Sequence, residues 1–166
     1  YLKNGRPRFA VRVESEISEV TAEKRIVGKW VHLAGVLTEG KKLELYINGT
    51  CIERGSAAGF FASDPAQELE IGADKDTGEG VGYYTGHSPF QGLIDEVRVY
   101  HGTVTGAEIA RHAEKPETVS TEKGALVLHL TFEKENAKDY SGKNNHGALS
   151  SFVTPAPGTI GKAMKF

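Results

Sequence analysis

An acidic residue inside an apolar strand is the first candidate for chemistry in this sequence. The stretch FQGLIDEVRVY, residues 90–100, carries Asp95 and Glu96 in a run of Leu, Ile, Val and Tyr. Alternation along a strand predicts that Asp95 lies on the same face as the apolar Val97. Glu96 and Arg98 fall on the opposite face, where we expect them to stay solvated. Burial of a carboxylate is costly unless backbone N–H groups, a cation or a metal ion compensate it.

A long loop supplies the second group of candidates. The segment DKDTGEGVGYYTGHSP, residues 74–89, is longer than a hairpin needs and carries Tyr83, Tyr84 and His87. Exposed aromatic rings flanked by polar groups can stack on the faces of sugar rings. We therefore expect this loop to be exposed and to carry any ligand site. The alternative is that one of the tyrosines anchors the loop onto the fold.

Composition restricts the class of protein. A chain of 166 residues is one ordinary domain by size, and its formal net charge is -2. Because Lys and Arg are spread along the sequence, no footprint for nucleic acid is expected. Cys51 is the single cysteine, so an internal disulfide is excluded. No apolar run is long enough to span a membrane, and any targeting segment is expected outside these residues.

Short segments with period-two alternation predict strands along most of the chain. Asn48-Gly49 predicts a type I′ hairpin, and TGAEIARHAE predicts one short helix capped by Thr105. The fold class is therefore all-β, with two antiparallel sheets in a sandwich, and Trp30 is expected in its core. The strand segments are RPRFAVRVE, KWVHLAGVL, KKLELYI, CIERG, QELEIGA, GLIDEVRVY and ALVLHLTF. The residues expected to be buried are Phe9, Val11, Leu45, Ile47, Ile71, Val97, Val99, Leu128 and Leu130.

Several of these segments carry a resemblance to a known family. GKWVHLAGVL, KKLELYINGT, LEIGAD and FQGLIDEVRVY followed by VTGAEI resemble the second half of a laminin-G-like domain of the concanavalin A-like jelly-roll superfamily. LVLHLTFE, DYSGKNNHGAL and GTIGKAMKF resemble the opening of such a domain. The family order is therefore inverted in this chain. The resemblance implies a jelly-roll sandwich of the kind common in bacterial extracellular proteins.

The inverted order leaves two domain arrangements open. Residues 1–116 correspond to the C-terminal two-thirds of the sandwich, 117–124 to a linker, and 125–166 to its opening strands. We favour an arrangement in which 125–166 complete the same domain, because an isolated half-domain of this size buries too little surface. The alternative is a fragment of a tandem array. Contact between Leu128 and Val97 across one sheet would distinguish them.

The resemblance also implies a role for Asp95. In jelly rolls of this superfamily, an Asp in the closing strand often lies near the opening strand and a calcium ion. Calcium takes oxygen ligands, and DYSGKNNHG offers Asp139 and Asn144 on a glycine-containing turn. A structural calcium ion held by Asp95, Asp139 and Asn144 is one reading. In the other, Asp95 accepts backbone N–H bonds, and Asp139 and the asparagines form Asx turns.

Catalysis has little support in the sequence. The Glu-x-Asp-x-x-Glu strand of the related β-glucanases does not occur, nor does Gly-x-Ser-x-Gly or His-Glu-x-x-His. The resemblance implies a non-catalytic carbohydrate-binding or adhesion module, located outside the cell or on its surface. Its expected partners are a glycan or an extracellular protein and the neighbouring domains of a longer chain, without nucleic acid or membrane insertion. The alternative is a structural spacer or a protein-protein interaction domain.

Overall fold

The computed structural model of the protein describes residues 1–60, 69–73, 90–117 and 125–166. The strands among these residues pair antiparallel, and they are accompanied by one short helix. The predicted all-β class is therefore confirmed. The chain divides into a first unit, Tyr1–Gln67 with Gly102–Val119, and a second unit, Glu68–His101 with Ser120–Phe166.

The described residues of the first unit form two three-stranded sheets and one helix. Strand β2 lies between β1 and β3 in one sheet, and β5 lies between β4 and β6 in the other. Each central strand alternates apolar and polar residues, as a strand with one buried face requires. The bounds are β1 Leu2–Lys3, β2 Arg6–Val13, β3 Glu16–Thr21, β4 Leu33–Leu37, β5 Lys42–Ile47 and β6 Thr50–Ser56.

The two sheets of the first unit enclose an apolar core. Val11 of β2 and Val20 of β3 are buried with Leu43 and Leu45 of β5. These residues occupy alternate inward positions, so the two sheets pack as a sandwich. The remaining predicted core residues of this unit, Phe9 and Ile47, are partly buried and pack against the same cluster.

The hairpin between β5 and β6 turns at Asn48-Gly49, as predicted. Both residues have positive φ angles, 49° and 78°, which is the type I′ geometry. A Cβ atom on Gly49 would lie 2.8 Å from the Cα of Ala110. The turn therefore needs glycine both for its backbone conformation and for its close approach to the helix.

Helix α1, Gly106–Glu114, begins at the predicted cap. The Thr105 hydroxyl accepts a hydrogen bond of 3.3 Å from the backbone N–H of Glu108, which satisfies a free donor of the first turn. Ile109 and His112 are buried on one side of the helix. No helix in the described part of the chain is long and apolar enough to cross a membrane.

The second unit joins strands from two distant parts of the sequence. Strand β8 pairs with β9, with Val97 opposite Leu130 and Val99 opposite Leu128. Strand β11 pairs with both β7 and β10. Segment 93–101 thus pairs with strands from 125–166, while the proposal that 125–166 complete one domain stays a prediction. The bounds are β7 Leu93–Ile94, β8 Val97–His101, β9 Ala125–Leu130, β10 Thr154–Pro157 and β11 Lys162–Lys165.

The prediction of uninterrupted alternation along residues 93–100 is wrong. Glu96 has a φ of 52°, a left-handed conformation that interrupts the strand between β7 and β8. As a result, Ile94 and Val97 both pack against the core of this unit, although strict alternation places them on opposite faces. That core contains the buried residues Leu128, Leu130, Phe132 and Met164, with Ile71 partly buried against it.

Three further expectations need correction. Trp30 is 44% exposed rather than buried in a core. It precedes β4, which begins only at Leu33 and is shorter than the segment KWVHLAGVL suggested. Val99 is 36% exposed. Of the segment QELEIGA, residues 69–73 are described and do not form a strand.

Candidate functional site

The Asp95 carboxylate lies between β7 and β8 and connects this region to the turn between β10 and β11. Its Oδ2 atom accepts hydrogen bonds from the backbone N–H groups of Thr159, at 2.9 Å, and Ile160, at 3.1 Å. Gly158 belongs to the same turn, and a Cβ there would lie 2.6 Å from this oxygen. The Asp95 carboxylate therefore connects the segment between β7 and β8 to the turn of the β10–β11 hairpin.

Burial shapes the acidity of Asp95. Desolvation raises the pKa of its carboxyl group, and the N–H groups of Ile160 and Thr159 oppose this rise only in part. Its Oδ1 atom is buried and makes no hydrogen bond of acceptable geometry with the described residues. Because this oxygen is buried, a cation could reach it only if the surrounding residues moved.

Asp139 has a different environment, because protein donors surround both of its oxygens. Oδ1 accepts from the backbone N–H groups of His129, at 2.9 Å, and Ser141, at 2.8 Å. Oδ2 accepts from the Ser141 hydroxyl, at 2.8 Å, and from the backbone N–H of Asn145, at 2.9 Å. The residue is only 4% exposed. Asp139 therefore joins the turn that follows it to strand β9.

These donors determine the charge state of Asp139. Burial alone would raise the pKa of its carboxyl group, but the bonds from Ser141, His129 and Asn145 together outweigh burial and hold this pKa well below its usual range. The carboxylate is thus stabilised as an anion by the protein itself. Nothing in this geometry requires a cation at Asp139.

The asparagines of the same turn have separate roles. Asn144 adopts a positive φ of 62° and is exposed, as a turn residue often is. The Asn145 side-chain amide donates to the Val127 carbonyl at 2.7 Å. No group of three or more His, Cys, Asp or Glu side chains suited to a metal ion occurs in the ranges that the structure describes. The contacts favour the Asx-turn alternative, and calcium binding by Asp95, Asp139 and Asn144 stays a prediction.

Glu96 and Arg98 are not solvated, contrary to expectation. Their side chains are 12% and 8% exposed, and the Arg98 guanidinium donates to Glu96 Oε2 at 2.5 Å. The same oxygen lies 2.9 Å from Nε2 of the buried His129. The left-handed backbone at Glu96 makes this cluster possible, because the interruption of the strand ends the alternation that would point its side chain to solvent.

The predicted ligand-binding residues Tyr83, Tyr84 and His87 lie outside the described residues. Their role in binding stays a prediction. The described loop ends that flank them are joined by a hydrogen bond of 2.7 Å from the Phe90 backbone N–H to the Gly72 carbonyl.

Sequence reasoning missed a basic cleft in the first unit. Its volume is about 370 Å³, and it lies at the β1–β2 hairpin. A signal was available, since Asn4-Gly5 is a second two-residue turn that sets Lys3 opposite Arg6. The expectation that basic residues are spread along the chain overlooked how the fold gathers them. The lining residues are Lys3, Asn4, Arg6, Arg8, Thr21 and Arg25.

The antiparallel strands and the sandwich of the first unit agree with a comparison against known families. The sequence model of the Laminin_G_3 family, described as concanavalin A-like lectin/glucanases superfamily, matches residues 1–110. The chain belongs to this family. Residues 125–166, which supply the partners of β7 and β8, lie outside the matched range.

Comparisons with curated proteins and with solved structures add no argument about function. No curated protein matches the chain. Among solved structures, the chain is similar to the crystal structure of residues 221–444 of an S-layer domain-containing protein from Clostridium thermocellum, at 22% identity and a TM-score of 0.43. The similarity covers 66% of this chain and 52% of that structure, so the chain spans about half of it.

Proposed function

We propose that the chain is a non-catalytic carbohydrate-binding or adhesion module of a secreted or cell-surface protein. The observation that carries this proposal is membership of the concanavalin A-like lectin/glucanases superfamily, with the match extending through β1–β8 of an antiparallel β fold. A non-catalytic role agrees with the absence of the paired-carboxylate strand of the related glucanases from the sequence. Its partners would be a glycan or an extracellular protein, together with neighbouring domains of a longer chain.

The loop 74–89 is the proposed glycan contact. Its sequence combines Tyr83, Tyr84 and His87 with small and polar residues, a composition suited to stacking on a sugar ring and bonding to its hydroxyls. Calcium stabilisation through Asp95 and Asp139 would be an additional property. The proposal does not depend on it, because protein donors already bind both Asp139 oxygens.

One observation favours the second candidate, a structural spacer or protein-protein interaction domain. Val27, Trp30 and Leu33 are all exposed within one short segment of the first unit. Exposed apolar side chains grouped in this way often mark contacts with other proteins. A spacer would use such a surface to pack against neighbouring domains and would bind no glycan.

Binding to a glycan array, measured with calcium and with a chelator, separates the two candidates. If the chain is a carbohydrate-binding module, we expect it to bind a defined set of glycans on the array. If it is a spacer, we expect it to bind no glycan either in calcium or in chelator. If binding occurs in calcium and persists in chelator, the module binds glycans without needing the metal ion.

A further inference from the structure

The basic cleft of the first unit is not among the residues assigned to glycan or calcium binding above. Four of its six lining residues are cationic, and the remaining two are Asn4 and Thr21. The chain as a whole has a formal net charge of -2, so this density of positive charge is local. The cationic lining residues are Lys3, Arg6, Arg8 and Arg25.

The hairpin register brings two of these cations into direct opposition. Lys3 and Arg6 are cross-strand partners of β1 and β2 on either side of the Asn4-Gly5 turn. Like charges directly opposite each other destabilise an antiparallel pair. Arg8 follows on the same face of β2, since it is two residues beyond Arg6. The hairpin therefore concentrates charge at a cost to its own stability.

Intramolecular ion pairs neutralise only part of this charge. Glu19 pairs with Arg8 at 2.9 Å and also accepts from the Tyr1 hydroxyl. Lys3, Arg6 and Arg25 have no carboxylate within ion-pair distance in the described part of the chain. Three cations thus remain available to an external anion.

Backbone geometry holds Arg25 beside the turn. The Ile26 backbone N–H donates to the Gly5 carbonyl at 2.9 Å, which fixes the chain next to Arg25. A Cβ on Gly5 would lie 3.0 Å from Arg25 Nε, so the guanidinium lies directly over the turn. The positive φ of Gly5 and the absence of a side chain leave room for this contact.

The remaining lining groups suggest what kind of anion fits. Guanidinium groups bind carboxylates through paired N–H bonds, while the Asn4 amide and the Thr21 hydroxyl can bond to neutral hydroxyl groups. The Tyr1 ring lies beside the cleft, with its centroid 5.9 Å from the Arg8 guanidinium carbon. A volume of about 370 Å³ is near the lower end of small-ligand sites. Most of its lining side chains are exposed, so the cleft is an open surface site that a sugar unit could contact.

We propose that this cleft binds the carboxylate of an acidic sugar unit within an oligosaccharide. The inference deepens the proposed carbohydrate-binding function and rests on it, but it assigns the acidic unit to residues of the β1–β2 hairpin. The loop 74–89 has no part in this step. Sugar hydroxyls would bond to Asn4 and Thr21, and the carboxylate would lie among Arg6, Arg25 and Lys3.

Calorimetric titration with a galacturonic-acid oligosaccharide tests the proposal. The matched ligand is the same oligosaccharide with its carboxylates methyl-esterified, which keeps the sugar and removes the charge. The test variant is Arg6→Gln/Arg25→Gln. Its control is Lys143→Gln/Lys165→Gln, which alters two exposed cations of the second unit and has the same formal net charge, -2 - 2 = -4.

Wild-type protein and the control are expected to bind the acidic ligand, and the esterified ligand is expected to bind at least about tenfold more weakly. The test variant should lose binding by a similar factor. Its melting temperature should stay equal or rise, because Arg6→Gln removes a like-charge pair. If Arg6 and Arg25 instead had a purely structural role, the melting temperature of the test variant should fall. Equal binding of both ligands, or equal loss in both variants, would overturn the assignment.

Two further ligands complete the test: single-stranded DNA, which carries phosphate charges, and neutral glycans. Binding of single-stranded DNA as tightly as the acidic sugar would overturn the choice of ligand class. If the array detects neutral glycans and the acidic oligosaccharide does not bind, the cleft assignment fails while the proposed function stands. If neither kind of glycan binds, both fail.

Discussion

The Asp95 carboxylate accepts a hydrogen bond of 2.9 Å from the backbone N–H of Thr159, which lies 64 residues later in the chain. A second bond from Ile160 reaches the same oxygen. This contact joins the interruption between β7 and β8 to the turn between β10 and β11. It gives a structural reason for an acid in an otherwise apolar segment, whether or not a cation is also bound.

Replacing Asp95 should therefore destabilise the second unit. Asp95→Ala leaves two backbone donors without their acceptor, and we expect a loss of about 1–2 kcal/mol in the free energy of unfolding. Asp95→Asn is the matched control, because its amide oxygen can still accept from Thr159 and should cost less. Urea denaturation of the three proteins measures both values. An unchanged stability in Asp95→Ala would show that the contact contributes nothing.

The Asp139 carboxylate should make stability depend on pH. Its folded-state pKa lies below the ordinary value near 3.8, so its stabilisation is fully present above that value and is lost as the pH falls below it. The raised pKa of Asp95 acts with the opposite sign, since the folded state favours its protonated form. We expect the hydrogen bonds to Asp139 to dominate because protein donors reach both of its oxygens.

Asp139→Asn tests this sign. At neutral pH the free energy of unfolding of the variant should be lower by on the order of 2–4 kcal/mol. The carboxylate accepts hydrogen bonds on both oxygens, whereas the asparagine amide has one oxygen that can accept and a nitrogen that cannot. Its stability should then change less than that of the wild type as the pH falls from about 4 to about 2. Urea denaturation across this range gives the comparison. Parallel curves for the two proteins would contradict the assignment of acid sensitivity to Asp139.

The strand pairing leads us to expect that residues 125–166 are necessary for the second unit. A chain ending at residue 116 lacks β9 and β11, which are the partners of β8 and β7 in the described structure. We expect this truncated protein to expose the apolar faces of β7 and β8 and to aggregate or to show a non-cooperative transition. Circular dichroism and gel filtration measure this. A cooperative, monomeric truncated protein would instead support the tandem-array alternative.

The calcium hypothesis makes a separate prediction. A cation bound only by the folded state stabilises it by about 2.7 kcal/mol when its concentration is about 100-fold above Kd. Millimolar calcium should then raise the melting temperature of the wild type, and a chelator should lower it. Asp95→Asn should lose this response. A wild-type response in that variant would exclude Asp95 as a ligand, and no response in either protein would favour the hydrogen-bond alternative.

Local rules predicted the elements that depend on neighbouring residues. Asn48-Gly49 forms the expected hairpin because both positions tolerate positive φ. Thr105 caps the expected helix through its bond to Glu108. Leu45 is buried as expected, and so is Leu43, two residues earlier on the same face of the strand. The turn and the helix cap depend on interactions within a few residues of sequence, and the burial pattern follows from the alternation of the strand.

The features that were missed depend on contacts between distant residues. Glu96 takes a left-handed conformation, and its carboxylate lies against Arg98 and His129. Period-two alternation cannot signal that interruption, because a β9 residue completes the cluster. The donors to Asp95 are equally remote, at Thr159 and Ile160. The sequence identified the acid that needed compensation, but the source of that compensation depends on the strand pairing.

The most direct test of carbohydrate binding is a glycan-array comparison of the wild type with Tyr83→Ala/Tyr84→Ala. We expect the wild type to bind a defined set of neutral glycans and the variant to lose this binding. If the two rings are exposed as predicted, the melting temperature should be nearly unchanged, because exposed rings contribute little to stability. Failure of the wild type to retain any glycan, in calcium or in chelator, would contradict the carbohydrate-binding proposal. A large loss of stability in the variant would show that the tyrosines anchor the loop instead.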